Sequence, residues 1–82
     1  MLIKFYIKPR KGVLDPQGRA VAENLRSLGF NNVEDVKVGK YIEVYVNETD
    51  KEKAIEQAKE MAKKAIVNEI IEDYEFEVID NT

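Results

Sequence analysis

Apolar and polar positions alternate from residue 2 to residue 8. Ile3, Phe5 and Ile7 fall on one side, and Leu2, Lys4, Tyr6 and Lys8 on the other. A two-residue period rich in β-branched and aromatic side chains predicts a strand with one buried face. The period then lengthens. Gly18, Val21, Ala22, Leu25 and Leu28 share one stripe at helical spacing while Arg19, Glu23 and Arg26 lie opposite, which predicts a helix from Asp15 or Pro16 to about Leu28. Asp15 is suited to cap it, and Pro16 at the first helical position gives up only an N–H that has no partner there. Gly29 suits the left-handed residue that ends a helix, with Phe30 packing back on the last turn.

The alternation resumes after a turn at Asn31-Asn32. Val33 to Val38 reads as a second strand, with Val36 and Val38 in phase and Val33 out of phase. Gly39-Lys40 reads as a two-residue hairpin turn, because glycine tolerates the positive φ such turns need. Tyr41 to Val46 is the third strand: Ile42, Val44 and Val46 share one face, Tyr41, Glu43 and Tyr45 the other. Thr49-Asp50-Lys51-Glu52 has the form of a capping box, so a second helix starts near Asp50. Its apolar stripe is Ala54, Ile55, Ala58, Met61, Ala62, Ala65 and Ile66, and it ends near Asn68. Residues 70 to 79 return to strand, with Tyr74, Phe76 and Val78 as the better core phase, alternating with Glu75 and Glu77.

Strand, helix, strand, strand, helix, strand is the order of the split βαβ fold. With right-handed crossovers the expected class is α+β: a ferredoxin-like βαββαβ domain over residues 1–80, with residues 81–82 a frayed tail. Four antiparallel strands in the order 4-1-3-2 would carry both helices on one face. The covered face takes Ile3, Phe5, Ile7, Val36, Val38, Ile42, Val44 and Val46, besides the fourth-strand set. The uncovered face takes Leu2, Lys4, Tyr6, Lys8, Lys37, Tyr41, Glu43, Tyr45, Glu75 and Glu77. Three readings of that face stand: a solvated antiparallel surface, an association surface marked by Tyr6, Tyr41 and Tyr45, or a platform that stacks single-stranded RNA bases.

Charge narrows the choice. A net charge of -3 and the absence of a Gly-Phe-rich RNA-binding signature argue against nucleic acid, since phosphate neutralisation needs a basic face. No stretch approaches membrane-spanning length and the N-terminus lacks a signal-peptide layout, so a cytoplasmic location is expected, with no membrane partner. The chain has neither cysteine nor histidine, which removes disulfides, the usual zinc sites and the commonest nucleophile–base pairs. No catalytic residue, metal ligand or cofactor is therefore expected in this chain. Lys8, Arg10 and Lys11 lie near the first helix N-terminus, where an anion can bind. Asp15 competes for the same N–H groups, and a plain basic loop or protein contact is the favoured reading there. Val13 and Leu14, apolar within that loop, either tuck onto the core or dock on a partner.

The run Pro9-Arg10-Lys11-Gly12-Val13-Leu14-Asp15-Pro16-Gln17-Gly18 resembles the signature of the PurS family. Leu28-Gly29-Phe30, Val36 through Glu43, and Asn68 through Tyr74 are similar to it as well, and Glu69 departs from it, standing where the family often has proline. The resemblance implies a small subunit of phosphoribosylformylglycinamidine (FGAM) synthase, a glutamine-dependent carbon–nitrogen ligase of de novo purine synthesis. It implies that the complex turns formylglycinamide ribonucleotide, glutamine and ATP into FGAM, glutamate, ADP and phosphate. In that family a large synthetase subunit uses ATP and magnesium, a glutaminase subunit makes ammonia, and the small subunit bridges them without catalytic residues, as a dimer or tetramer. The loop Arg10, Lys11, Gly12, Val13, Leu14, Asp15, Pro16 and Gln17 becomes the expected contact with the larger subunits. Tyr6, Tyr41 and Tyr45 become the expected self-association residues. The competing expectation is a ferredoxin-like dimer that binds a small regulatory molecule between subunits.

Overall fold

A computed structural model describes residues 1–80; the expected tail at 81–82 lies outside the described residues. Strand β1 (Leu2–Pro9) is the middle strand of a three-stranded antiparallel sheet, flanked by β2 (Lys40–Tyr45) and β3 (Glu72–Ile79). The register sets Phe5 opposite Ile42 on one side and Phe76 on the other. Because side chains alternate across a strand, Ile3, Phe5 and Ile7 project together into the core beside Val78, with Ile42, Val44, Tyr74 and Phe76 partly buried around them.

Helix α2 (Lys51–Met61) closes this core through Ala54 and Ala58, followed by Ala62, all wholly buried. Three small side chains at four-residue spacing let the helix lie close to the sheet, nearest along β3, and share one buried cluster with Ile3 and Phe5. Asp50, rather than Thr49 of the capping-box pattern, caps α2: its Oδ1 accepts from the Glu52 N–H at 3.0 Å. The helix does not run unchanged to Asn68. A π-helical turn, Ala62–Ile66, ends it, with the Val67 N–H reaching back to the Ala62 carbonyl at 3.0 Å. The wider turn leaves Val67 buried at the base of the core.

Helix α1 (Pro16–Ser27) begins and ends where its caps predict. Past its end, the Phe30 N–H bonds the Leu25 carbonyl and the Gly29 N–H the Arg26 carbonyl, each at 3.1 Å, with Gly29 at φ +101°. That is the double bond pattern of a Schellman stop, in which the left-handed residue is glycine because a Cβ would be strained there.

The tertiary arrangement departs from the expected four-stranded sheet. Residues 33–38 form no strand, and Gly39-Lys40 is not a hairpin turn. Gly39 lacks the positive φ a two-residue turn requires; its Cα presses on the Ile7 carbonyl instead, where any side chain would collide. The chain therefore passes the end of β1 and runs on into β2 without folding back. Three of the expected strands keep their expected neighbours, and the fourth is missing from the edge beyond β2. The two helices do not share one face either, since α1 is not laid on the sheet. Val36 and Val38, expected in the core, lie outside it and are half-buried. Val21 and Leu28 of the α1 stripe are 41% and 68% exposed. Leu2, expected on the open face, is buried, set between Tyr45 and Ile79 in the register.

The molecule is accordingly a slab of 49 × 28 × 14 Å with a radius of gyration of 16.2 Å. A compact domain of this length has a radius near ~12 Å. Residues 10–39 make an arm that leaves the sheet at β1 and rejoins it at β2. Truncating Phe5→Ala should cost about 3–5 kcal/mol, since it empties the centre of so small a core. Urea unfolding followed by circular dichroism should then show most of the stability gone, whereas Phe30→Ala, half-exposed on the arm, should cost the isolated chain far less.

Candidate functional site

The expected contact loop is a defined turn at the top of the sheet. The Val13 N–H bonds the Arg10 carbonyl at 3.1 Å, closing a turn whose third residue, Gly12, has φ +88°. A positive φ at that position is what a type II turn demands. Arg10 fastens the turn to β3: its backbone N–H bonds the Ile71 carbonyl at 2.8 Å, and its Nε lies 3.3 Å from the Asp73 carboxylate. The ion pair is exposed on both sides, so it steers geometry more than it adds stability. Lys11, Gly12, Pro16 and Gln17 are exposed, and Val13 is half-buried. Leu14 is 76% exposed, so the loop's second apolar residue does not tuck onto the core.

Asp15 works in two directions. Oδ1 accepts from the Gly18 N–H and Oδ2 from the Val38 N–H, both at 3.0 Å. One carboxylate thus caps α1 and ties the returning segment to it. These bonds, that from Gly18 foremost, hold the Asp15 carboxyl below its ordinary value of 3.8. Gly18 is buried because its Cα faces the Val36 carbonyl, with no room for a side chain. Further along, Arg26 donates to the carbonyls of Val33 and Glu34, each at 3.0 Å. Asp15, Gly18 and Arg26 bind the two limbs of the arm into one piece.

The open sheet face brings the three tyrosines together. The Tyr6 and Tyr41 rings lie opposite in the register with centroids 5.3 Å apart. Glu43, between Tyr41 and Tyr45 on β2, accepts from both hydroxyls, at 2.7 and 3.1 Å. Those bonds favour the carboxylate and the neutral phenols. Glu43 is lowered by them, Tyr45 is raised, and Tyr41 is pushed up to about 12. Lys4 stands between Glu43 and Glu77 in the register, so charges of opposite sign alternate across the face. The tyrosines are 44% (Tyr6), 51% (Tyr41) and 68% (Tyr45) exposed: rigid, amphipathic and already oriented.

The structure keeps loop and tyrosine face apart and adds two features that the sequence reading missed. One is the exposed stripe of the arm, Val21, Leu28 and Phe30; its helical spacing was visible, but nothing local says that a sheet will be absent beneath it. The other is the turn after α2, where Ile70 is 84% exposed beside the half-exposed Ile71, next to the Arg10 turn. Two adjacent isoleucines after Asn68-Glu69 are the signal that was available. Among the described residues, no grouping of acidic side chains is arranged to hold a metal ion.

The class the fold defines is a small α+β domain on a three-stranded antiparallel sheet, with exposed apolar loops and an aromatic face. The family is specific. The PurS family model, phosphoribosylformylglycinamidine (FGAM) synthase, matches residues 2–80. The PurS subunit of Bacillus subtilis is 42% identical over 93% of this chain and 89% of its own length. That of Methanocaldococcus jannaschii is 44% identical over 88% of this chain and 87% of its own. A crystal form of B. subtilis PurS superposes with a TM-score of 0.81 at 40% identity, covering 96% of this chain and 98% of that one. A chain of PurLQS from Thermotoga maritima superposes with a TM-score of 0.78 at 34% identity, covering 94% and 96%. The chain belongs to the PurS family, the PurS subunits of FGAM synthase (EC 6.3.5.3) in purine biosynthesis.

Two pH responses follow. A phenol with a raised pKa contributes stability that is present below its ordinary value of 10.0 and lost as pH rises through about 12. Absorbance titration at 295 nm should therefore show Tyr41 ionising near 12, and Glu43→Gln should return that step toward 10.0. Asp15 has the opposite sign: its contribution holds above the usual carboxylate range and is lost as pH falls below 3.8 toward the lowered value. Asp15→Ala should lower Tm by roughly 4–8 °C at neutral pH and flatten the acid limb of the stability curve.

Proposed function

We propose that this chain is a non-catalytic assembly subunit of FGAM synthase. It self-associates and holds the glutaminase and ATP-dependent synthetase subunits in contact, so that ammonia passes between their sites. In this reading residues 1–80 act as one domain in the cytoplasm, and ATP and magnesium are used by the large subunit. The observation that carries the proposal is the match to PurS over nearly the whole chain, joined to a chain that has no cysteine or histidine of its own. A relative from T. maritima occurs in a structure of PurLQS, which supports a place in a larger complex.

The physical need for such a subunit lies in ammonia itself. In bulk water near neutral pH it is mostly protonated, and ammonium has no lone pair with which to attack. A closed path between the two reaction centres prevents that loss. An assembly subunit contributes by keeping the path sealed, without touching the reacting atoms. The Arg10–Gln17 loop suits docking, because Leu14 stands out from a turn that Gly12, Arg10 and Asp15 already hold in shape. Preformed loops lose little entropy on binding. The tyrosine face, with its hydroxyls fixed on Glu43, suits contact with another copy.

Reconstitution tests the proposal. Adding the chain to the large and glutaminase subunits of its own source should raise glutamine-dependent FGAM formation at least tenfold, with a much smaller effect when ammonium salt replaces glutamine. Equal glutamine-dependent rates without the chain would overturn the reading. Leu14→Asp should cut capture of the larger subunits by an order of magnitude or more in sedimentation assays, with an unchanged circular dichroism spectrum.

A further inference from the structure

Strand β3 forms the other edge of the sheet, across β1 from β2. It has β1 on one side and, among the described residues, no strand on the other. Neither a proline nor a glycine interrupts its eight residues. The Arg10 N–H donates to the Ile71 carbonyl, which sets the phase of the β1–β3 ladder. Bonded positions alternate in an antiparallel pair, so Asp73, Glu75 and Glu77 turn their backbone groups toward β1, while Tyr74, Phe76 and Val78 turn theirs outward. The paired bonds between Met1 and Val46 agree, since they direct the odd residues of β1 to β2 and the even ones to β3. Side chains along this edge are sorted by charge. Asp73, Glu75 and Glu77 are exposed on the open face, and Tyr74 and Phe76 are half-buried on the face that α2 covers. On the β1 side each acid has a complement in the register: Lys8 opposite Asp73, Tyr6 opposite Glu75 and Lys4 opposite Glu77. The outer side has no strand to supply one.

We infer that the β3 edge takes up an extended segment of another polypeptide as a further strand, and that this segment alternates lysine or arginine with apolar residues. Backbone bonds to Tyr74, Phe76 and Val78 hold it, as in other cases of strand addition. Its cations face Glu75 and Glu77, and its apolar side chains extend the cover over Tyr74 and Phe76. A second copy of β3 does not fit. Its outward groups also lie at even positions, so an antiparallel pairing of two such edges sets Glu75 against Glu77, or each against itself. Like charges directly opposite are destabilising, and charged side chains on an edge strand guard against such pairing. The charges that repel a copy select a cationic strand, and β1, with Lys4 and Lys8, already shows that match inside this chain. The inference goes beyond the assembly role, and its test needs neither of the larger subunits.

The probe is a soluble peptide, Thr-Lys-Val-Lys-Val-Lys-Thr, with Thr-Glu-Val-Glu-Val-Glu-Thr as its control. In 1H–15N NMR spectra of the full chain, the lysine peptide should shift the amides of Tyr74, Phe76 and Val78 and slow their exchange with solvent at least fivefold. The glutamate peptide should bind at least tenfold more weakly. Glu75→Lys, exposed and opposite Tyr6, should weaken the lysine peptide at least fivefold and strengthen the glutamate peptide, with an unchanged circular dichroism spectrum. The comparison of the two peptides on the parent chain stands without the variant. No binding of the lysine peptide, shifts confined to other segments, or equal affinity for the two peptides overturns the inference. So does an affinity that a folded Glu75→Lys chain leaves unchanged. Outward amides of β3 already protected in the chain alone overturn the open edge itself. None of these results bears on the reconstitution assay, which judges the assembly role separately.

Discussion

The buried cluster that joins the middle strand to a helix faced with alanine is the constraint on which the rest of this structure depends. Ile3, Phe5 and Ile7 of β1 meet Ala54, Ala58 and Ala62, and nearly every fully excluded side chain belongs to that contact. So small a nucleus can hold one helix and three strands. Its own α1 is not part of it. What α1 and the returning segment do is therefore settled outside the nucleus, by polar ties and glycine contacts of individually modest strength.

Those ties explain why the arm is well formed while lying off the sheet. The two oxygens of Asp15 serve two chain segments at once, and Gly18 lets the Val36 backbone approach as closely as helix and segment can come. Cap and tie are thus one device built on Asp15, Pro16 and Gly18. The same stretch supplies the exposed Leu14, so the residues that shape the arm also hold out its candidate contact. The tyrosine face shows the same economy, with one carboxylate orienting two hydroxyls.

Membership of the PurS family and the absence of cysteine and histidine bear on different questions. The first places the chain within FGAM synthase. The second concerns the chemistry open to the chain itself: without a thiol or an imidazole, the commonest nucleophile–base pairs cannot be built from its own side chains.

Much of this was written locally in the chain. The period-two runs at residues 2–8, 41–46 and 74–78 marked three strands and the core faces of Ile3, Phe5 and Ile7 and of Ile42 and Val44, though not the burial of Leu2. Asp15-Pro16 and Gly29 fixed both ends of the first helix, because capping depends on a few neighbouring residues. The loop at Arg10–Gln17 was legible for the same reason. What the sequence did not determine was the path at Gly39. Alternation states which face of a strand is apolar and says nothing about which sheet, or which direction, that face will find. A glycine followed by lysine fits a tight turn and a straight passage equally well. The choice was made by contacts between distant residues, Gly39 against Ile7 and Val38 against Asp15, and only the tertiary structure brings those together.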